Sequence, residues 1–229
     1  MEESRRHSQA QEVSLVDGAE ATARAEAANG LRQAETVIEM VMAAVERNSF
    51  KLRPSVVLEL HRKAMQGLNA YAGNWRPADV EIAKSAHAPP LAAAVPSLVE
   101  DMCDYVNDNW QSRSAIHLSS FVMWRLNWIH PFTDGNGRTS RAVSYLVLCA
   151  RSAVLFPGAT TIPEQVVQNR GPYYSALEAA DRKFSAYVQS GSEGFPEDVV
   201  SDMESLVQSM LAIQLRAVFD VASGALSQG

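Results

Sequence analysis

The sequence predicts an all-α protein, a helical bundle that carries one short β-hairpin flap. Apolar residues recur at helical spacing through most of the chain. Glycine and proline residues separate these periodic segments, as expected where helices begin and end. Residues 73–90 differ, because two pairs of breakers and an apolar–polar alternation favour a hairpin or an extended flap there, with a plain connecting loop as the alternative.

The N-terminal part of the chain is predicted to contain an arm and two helices. Residues 1–14 are polar and aperiodic, which is typical of a mobile arm. Residues 15–48 begin with an alanine- and glutamate-rich helix over 17–28, and the Asn29-Gly30 pair that follows commonly ends a helix. An amphipathic helix is expected after that pair.

Residues 49–190 are predicted to form the functional core of the bundle. Proline at the start of two periodic segments suits a first helical turn. Apolar positions then continue up to His130, and the segment after residue 141 is apolar almost all round, as expected for a helix buried on most sides. Residues 191–229 give a break and a long helix that is expected to pack on this core.

Composition is typical of a globular protein and argues against two kinds of partner. The 229 residues suit one domain with an appendage, and 47% of them are hydrophobic. The net charge of −6 argues against nucleic-acid binding by bulk electrostatics. The N-terminus has no apolar segment and no window reaches membrane-spanning length, so no membrane partner is expected. We expect a cytoplasmic protein, although an effector secreted by a signal-independent route would carry the same features.

Cysteine and histidine residues do not suggest a disulfide or a structural metal. Cys103 and Cys149 both lie in apolar helical patterns, which favours buried thiols. His61 and His117 occupy helical positions without a second ligand at metal spacing, so no zinc site is predicted.

Residues 130–141 read HPFTDGNGRTSR and combine groups that suit polyphosphate binding. Gly135, Asn136 and Gly137 fall where the buried helix should begin. The first turn of a helix offers free backbone N–H groups and the positive end of the dipole, which attract phosphate. Glycines let an anion approach the backbone closely, and Asn136 can add a side-chain donor.

The charged residues of the same stretch suit the rest of a nucleotide site. Arg138 and Arg141 are three residues apart, so both can point to one side of the helix and bind phosphate oxygens. Asp134 suits a ligand of the Mg²⁺ that accompanies a nucleotide. His130 is the group in the stretch that can remove a proton near neutral pH. An isolated Gly-Asn-Gly is more often a tight turn, but the clustering of these groups favours a site.

These twelve residues resemble the complete Fic motif, HPFx(D/E)GNGRxxR, with no fixed position missing. The likeness extends more loosely over residues 50–185, including the segments AGNWR and RGPYYSALEAADR. Most Fic proteins are adenylyltransferases that move AMP from ATP to a hydroxyl group of a target protein, on an all-α fold with a β-hairpin flap. The resemblance thus implies a nucleotidyltransferase that uses ATP with Mg²⁺ or Mn²⁺ and modifies a Tyr, Thr or Ser hydroxyl.

The resemblance also assigns roles to the matching positions. His130 would deprotonate the target hydroxyl, and Asp134 would hold the metal ion between the phosphates. Phe132 would anchor the loop in the core. The positions of the anion hole and of the outer-phosphate arginines would be Gly135, Asn136, Gly137, Arg138 and Arg141.

Two other regions carry candidate site residues. Tyr173 and Tyr174 lie where the family often shapes the adenine pocket, and helix packing is the alternative explanation for both. In the predicted flap, Val80 and Ile82 alternate with Glu81, and these residues would hold the target's backbone beside the site by strand addition.

Thr22 and Glu26 match most of a regulatory signature. Many Fic proteins are inhibited by a helix reading (S/T)xxxE(G/N), whose glutamate pairs with the second motif arginine. Thr22 and Glu26 have that spacing, whereas Ala27 departs from the pattern. We expect Glu26 to pair with Arg141 and displace the γ-phosphate, so that Glu26→Gly raises activity sharply. A solvent-facing helix with Glu26 as a surface charge is the alternative.

Three classes of function remain open. The phosphotransferring branch of the family carries lysine at the position of Gly137, so glycine favours nucleotidyl transfer. Transfer of UMP or phosphocholine, or removal of AMP, would use the same scaffold. A non-catalytic nucleotide-sensing module is the third class, and the intact His130 argues against it. The expected partners are ATP and a protein target, with self-modification and a homo-oligomer as further options.

Overall fold

The computed structural model describes residues 8–9, 15–82 and 87–224, and its helices confirm the predicted all-α class. The two short strands are β1, Ser8–Gln9, and β2, Glu81–Ile82, and a single 3₁₀ turn covers Ala92–Ala94. In chain order, the helices are α1 Ala19–Arg47, α2 Pro54–Met65, α3 Val95–Asp108, α4 Ala115–Ile129, α5 Asn136–Ser152, α6 Ile162–Gln168, α7 Arg170–Gln189 and α8 Ser201–Ala222.

Helices α4 and α5 form the centre of the bundle and are joined by the turn 130–135. Phe121 and Trp124 of α4 and Leu146 of α5 are fully buried between them and their neighbours. Helices α1 and α2 contact α5, whereas α3, α7 and α8 contact α4. The 130–135 turn therefore lies at the end of the most buried helix pair, where surrounding elements restrict its movement.

The two cysteines belong to this core, as the sequence predicts. Cys103 of α3 and Cys149 of α5 are free thiols, and both are buried. Burial, with Asp104 and Glu100 nearby, raises the pKa of the Cys103 thiol to about 12. A thiol that stays protonated is a poor nucleophile, so Cys103 acts as an apolar packing group.

Helix α1 corrects the prediction of two N-terminal helices, because it continues through Asn29-Gly30 without a break. Asn29 is only 1% exposed. Its Nδ2 donates to the carbonyl of Gln66 at 2.8 Å and to that of Ala64 at 3.3 Å. One turn later, Gln33 Nε2 donates to the Leu60 carbonyl at 2.9 Å. The Asn29 bonds satisfy carbonyls at the C-terminal end of α2, and the Gln33 bond adds a contact to the same helix. This tertiary gain overrides the local stop signal.

Helix α6 is a second difference, because the sequence analysis did not predict it. A capping box begins this helix: Glu164 accepts a hydrogen bond from the backbone N–H of Thr161 at 2.7 Å. The Thr-x-x-Glu pattern that signals such a start is present in the sequence, with Pro163 in the first turn. With seven residues, the helix is too short to show a clear apolar period.

The flap also differs from the predicted hairpin. Within the described residues of 73–90, one strand forms, β2, and it pairs antiparallel with β1 instead of with a second flap strand. The Ser8–Gln9 part of the arm predicted to be mobile is thus a strand, and the rest of residues 1–14 lies outside the described residues. Val80 is buried and Glu81 exposed, so the predicted alternation of the flap is present.

Helix α8 changes one expectation about membranes. It packs on the core through Met203, Val207 and Met210. By length and composition alone it could also cross a membrane, with 22 residues and a mean hydropathy of 1.2, so the expectation that no window reaches spanning length is wrong on that criterion. The core helix of a soluble protein passes the same test when it is mostly buried, whereas 17% of this window is buried.

The continuity of α1 through Asn29-Gly30 predicts opposite changes in the free energy of unfolding for two substitutions. Asn29→Ala should lower the free energy of unfolding by about 1–3 kcal/mol, because it leaves the buried carbonyl of Ala64 and the part-buried carbonyl of Gln66 without their side-chain donor. Gly30→Ala should raise it by about 0.5–1 kcal/mol, because an added Cβ meets nothing within 4 Å and alanine favours a helix interior. Urea unfolding of both variants measures these changes. A destabilised Gly30→Ala would contradict a helix that continues through this point.

Candidate active site

A cleft of about 410 Å³ opens beside the turn between α4 and α5. The flap contributes Ile82 and α1 contributes Glu26, whereas Thr22, Val80 and Glu81 do not line it. The cleft is lined by every motif position predicted as a catalytic, metal-binding or phosphate-binding residue, and by both candidate adenine-pocket residues. These are His130, Asp134, Gly135, Asn136, Gly137, Arg138, Arg141, Tyr173 and Tyr174.

His130 ends α4 in a left-handed backbone conformation, with φ 52° and ψ 58°. Its N–H donates to the Leu126 carbonyl at 3.0 Å, and the residue is 5% exposed. A non-glycine residue in this region is unfavourable unless its surroundings hold it there. The backbone at His130 is therefore held in place, and its imidazole lines the cleft.

Arg76, which the sequence analysis gave no role, holds this backbone. Its Nε donates to the His130 carbonyl at 2.9 Å, and its backbone N–H donates to the Pro131 carbonyl at 2.9 Å. The same guanidinium donates to the carbonyls of Ala78 and Pro90. Burial lowers the pKa of Arg76, while nearby Asp79 opposes that change. Arg76 thus links the flap segment to the residue that ends α4.

Asn136 closes the loop from the other side. Its Oδ1 accepts from the Phe132 N–H at 2.9 Å, and its Nδ2 donates to the Phe132 carbonyl at 2.8 Å. Phe132 itself is fully buried. The Asn136 amide is therefore bonded within the loop, while its backbone N–H belongs to the first turn of α5. The predicted side-chain bond from Asn136 to phosphate stays a prediction.

His61 on α2 is a second residue whose role the sequence did not reveal. Its ring stacks on Phe132 with centroids 3.5 Å apart. Nδ1 accepts from the Gly73 N–H at 3.0 Å, so the proton is on Nε2, which donates to the Asp134 carbonyl at 3.0 Å. Burial lowers the pKa of His61 to about 4. A neutral imidazole thus joins α2, the turn at Gly73 and the motif loop.

Gly135 is required by its conformation and by its neighbours. Its φ is +77°, a region that side chains disfavour. A Cβ there would lie 2.7 Å from Met65 Sδ and 3.2 Å from His61 Cδ2. At Gly137, a Cβ would lie 3.1 Å from Nη1 of Arg141. Both glycines therefore keep the start of α5 free of side-chain atoms.

Two carboxylates of the cleft form ion pairs with the same guanidinium, that of Arg138. Its Nη2 donates to Asp134 Oδ2 at 3.0 Å, and its Nη1 donates to Glu26 Oε1 at 3.2 Å. The expected pairing of Glu26 with Arg141 is therefore wrong. Arg141 lies further along α5, near Tyr173 and Tyr174, and burial lowers its pKa. Arg138 is in the first turn of α5, where the Glu26 carboxylate reaches it.

Thr22 makes no such contact with the site. Its Oγ1 donates to the Gly18 carbonyl at 3.0 Å, at the start of its own helix. Such a bond to the carbonyl four residues earlier is common for hydroxyls in helices. The structure therefore brings Glu26 to the motif and leaves Thr22 within α1.

The two tyrosines lie on the α7 side of the cleft, with ring centroids 5.7 Å apart. Tyr173 is 2% exposed, and its hydroxyl accepts from Asn127 Nδ2 at 2.8 Å. Asn127 also donates to Ser140 Oγ at 2.8 Å, so it connects α4, α5 and α7 behind the cleft. Sequence reasoning missed Asn127, because a lone asparagine on a helix carries no distinctive pattern.

The residues of this cleft suit a metal ion that is shared with a bound substrate. Among the described residues, no three His, Cys, Asp or Glu side chains are grouped as a metal site. Asp134 offers one carboxylate, whose Oδ1 also accepts from the Gly135 N–H at 2.6 Å. Mg²⁺ is commonly held by one or two carboxylates together with substrate phosphates. The donors present therefore fit an ion shared with a nucleotide.

The comparison with protein families agrees with this geometry. Residues 51–148 match the model of the Fic/DOC family. This chain contains a Fic domain. The matched range includes α2, the flap and the complete motif, whereas Glu26, Tyr173 and Tyr174 line the cleft from outside it.

Relatives of this Fic domain are longer proteins. The protein adenylyltransferases fic-1 of Caenorhabditis briggsae and Caenorhabditis elegans are 31% and 29% identical to it over 155 and 161 residues. These matches cover 65% and 68% of this chain but 29% and 30% of the relatives. The chain thus spans less than a third of the length of either relative.

A solved structure shares the fold. The Fic domain containing signaling protein from Bacteroides thetaiotaomicron superimposes with a TM-score of 0.66 at 18% identity. The match covers 86% of this chain and 72% of that chain. The helices around the central pair therefore belong to the Fic fold, as the sequence motif implies.

The neutral state of His61 predicts a pH-dependent contribution to stability. Its folded pKa of about 4 lies below the ordinary value of 6.5, so folding favours the neutral ring. The contribution is complete above pH 6.5 and is lost as the pH falls through about 4, because protonated Nδ1 cannot accept from Gly73. We expect it to be on the order of 3 kcal/mol.

The change that tests this is His61→Phe, which keeps a ring against Phe132 and removes the titration. Urea unfolding at several pH values between 7.5 and 4.5 should show the difference between wild type and variant shrinking as the pH falls. His7→Ala is the control for loss of a histidine elsewhere and should keep the wild-type profile. Parallel profiles for wild type and His61→Phe would contradict the assigned role.

Proposed function

We propose that this chain is a protein adenylyltransferase that moves AMP from ATP to a Tyr, Thr or Ser hydroxyl of a target protein. The observation that carries the proposal is the common cleft of His130, the start of α5 and both motif arginines, which the flap borders through Ile82. The names of the two nematode relatives support the same reaction.

The reaction consists of one proton transfer and one substitution at phosphorus. His130 takes the proton from the target hydroxyl, and the hydroxyl oxygen attacks the α-phosphorus of ATP. A new P–O bond forms to the target while the bond from the α-phosphorus to the bridging oxygen of the β-phosphate breaks. Pyrophosphate leaves, and the target keeps AMP.

Positioning and charge stabilisation supply most of the catalysis in phosphorus transfer. The first residues of α5 line the cleft, and the N–H groups of a first helical turn attract phosphate, which Gly135 and Gly137 admit close to the backbone. Arg138 and Arg141 bind the outer phosphates, whose charge grows as pyrophosphate leaves. Mg²⁺ held by Asp134 would neutralise part of this charge when it is bound.

Glu26 is proposed to restrain the enzyme through Arg138. Its carboxylate accepts from Arg138 at 3.2 Å and lines the cleft, where it repels the outer phosphates of ATP. The Glu26 side chain is 50% exposed and that of Arg138 is 27% exposed. A pair of this kind contributes about 0.2–1 kcal/mol, so the restraint is modest. The cytoplasmic location expected from the sequence stays a prediction.

Transfer from ATP is tested with label at the α- or the γ-phosphate, in a cell lysate with Mg²⁺. We expect α-label on protein, increased several-fold in Glu26→Gly and lost when His130→Ala is added, because the base is then missing. Glu20→Gly is the matched control, since Glu20 is an exposed acid on the same helix that pairs with Arg24. Label from γ alone would contradict nucleotidyl transfer, and no label from either position would contradict ATP as donor.

The identity of the arginine that Glu26 restrains is tested by ATP binding in two backgrounds. Glu26→Gln should tighten binding by up to about 5-fold, because it frees Arg138 for phosphate. The gain should disappear in Arg138→Ala and persist in Arg141→Ala. Isothermal titration calorimetry measures each affinity. The reverse pattern would restore the pairing with Arg141 that the sequence suggests.

A further inference from the structure

A larger cavity lies beside the cleft and opens along helix α1. It encloses about 780 Å³ and is bordered by α1, α5, α6 and the segment between α5 and α6. Its lining is mostly apolar and includes Leu31, Val37, Ile38, Phe156 and Val167. Cavities of this volume, apolar with a few polar groups, are the usual form of small-molecule sites. We call this cavity the α1 groove.

The length of the α1 groove suits an extended apolar chain. Helix α1 lines it from Ala27 to Ile38, which is roughly 16 Å along the helix axis. Small residues, Gly30 and Ala34, keep this wall open, and a Cβ added at Gly30 would meet nothing within 4 Å. Leu31 and Ile38 are apolar but 68% and 45% exposed. A chain that covered them would remove apolar surface from water, which is favourable.

A tyrosine and an acid that line the α1 groove are already bonded within the protein. The Tyr145 hydroxyl donates to the Phe156 carbonyl at 3.1 Å and accepts from Gln214 Nε2 at 2.9 Å. Glu164 is the one carboxylate among the described lining residues, and it accepts from both the backbone N–H and the hydroxyl of Thr161. These groups need no ligand, so this part of the groove offers mainly apolar surface.

The α1 groove has a basic end that it shares with the cleft. Arg138, Arg141 and Val167 line both cavities. Glu26 and Asp134 both pair with Arg138, and within the described parts of the chain no carboxylate pairs with Arg141. Arg141 is partly buried. A guanidinium in this position favours an anionic group, which it can bind through two parallel hydrogen bonds.

We propose that the α1 groove binds a free fatty acid, with its alkyl chain along α1 and its carboxylate on Arg141. The basic end selects the charge of the head group, and the apolar wall selects the chain. A lipid in a bilayer keeps its chains in the membrane, whereas this groove offers its wall to the chain itself, which favours a free molecule.

Occupation of the α1 groove has a consequence for the cleft. A carboxylate on Arg141 takes the guanidinium that, in the proposed reaction, binds the outer phosphates of ATP. The fatty acid and ATP therefore exclude each other. This regulatory consequence rests on the proposed function, whereas binding of the fatty acid itself does not.

The first test measures binding of octanoate, decanoate and dodecanoate to the purified full chain by isothermal titration calorimetry, below their micelle concentrations. Affinity should rise on the order of 10-fold for each two added CH₂ groups, because these become buried. Decyltrimethylammonium, with a positive head group on a similar chain, should bind at least about 10-fold more weakly than decanoate. Affinity that is independent of chain length, or equal for the two head groups, would overturn the proposal.

Two tryptophan variants locate the site. Ala34→Trp fills the α1 groove, and Ala23→Trp puts the same side chain on an exposed position of α1 outside both cavities. Ala34→Trp should weaken decanoate binding at least about 10-fold and keep the wild-type affinity for ATP, which also shows that the variant is folded. Ala23→Trp should change neither affinity. Wild-type binding of decanoate by Ala34→Trp would overturn the location.

A third variant locates the head group. Arg141→Gln should weaken decanoate binding about 10-fold, because a charged hydrogen-bond partner is lost. The gain in affinity for each added CH₂ group should stay as in wild type, since the apolar wall is intact. Undiminished binding of decanoate by Arg141→Gln would contradict a carboxylate on this residue.

Competition with ATP separates this inference from the proposed function. Saturating ATP should lower the apparent affinity for decanoate at least about 10-fold, and an unchanged affinity would overturn the shared arginine. A chain that binds decanoate but not ATP would contradict the proposed function alone, and one that binds ATP but not decanoate would overturn this inference alone. Capture by anionic phospholipid vesicles without binding of free decanoate would overturn the free ligand in favour of a membrane.

Discussion

The geometry of the cleft depends on hydrogen bonds that buried side chains make to the backbone of one turn. Arg76 donates to the carbonyl of His130, His61 donates to that of Asp134, and Asn136 bonds both backbone groups of Phe132. A buried carbonyl without a donor would be costly, so each of these side chains is needed where it lies. The catalytic histidine of the proposal owes its position to groups that do not take part in the reaction.

The sequence could predict the parts of this arrangement that local patterns encode. Helical periodicity indicated the bundle, and the motif brought its own residues together because they are neighbours in the chain. Supporting residues such as Arg76, His61 and Asn127 act over separations of 46 to 73 residues. A single arginine or histidine on a helix has no pattern that reveals such a distant contact, and for that reason these three roles were missed.

Local signals also failed where tertiary contacts outweighed them. Asn29-Gly30 reads as a helix end, but the Asn29 side chain gains two carbonyl partners, Ala64 and Gln66, if the helix continues. The sequence predicts a partner strand for the flap from its own segment, whereas β1 supplies one from the N-terminal arm. The resemblance to the inhibitory signature placed Glu26 near the motif but paired it with Arg141, whereas its carboxylate reaches Arg138, one helical turn away.

The unbroken α1 helix limits how Glu26 could leave the cleft. At about 1.5 Å per residue, its 29 residues form a rod roughly 43 Å long. Asn29 and Gln33 fasten this rod to α2 within two turns of Glu26. Lifting the rod would break those buried bonds, whereas turning one side chain about its own torsions breaks a single part-exposed ion pair. Displacement of Glu26 by an incoming phosphate is therefore a change of rotamer, on the timescale of side-chain motion, and the scaffold stays where it is.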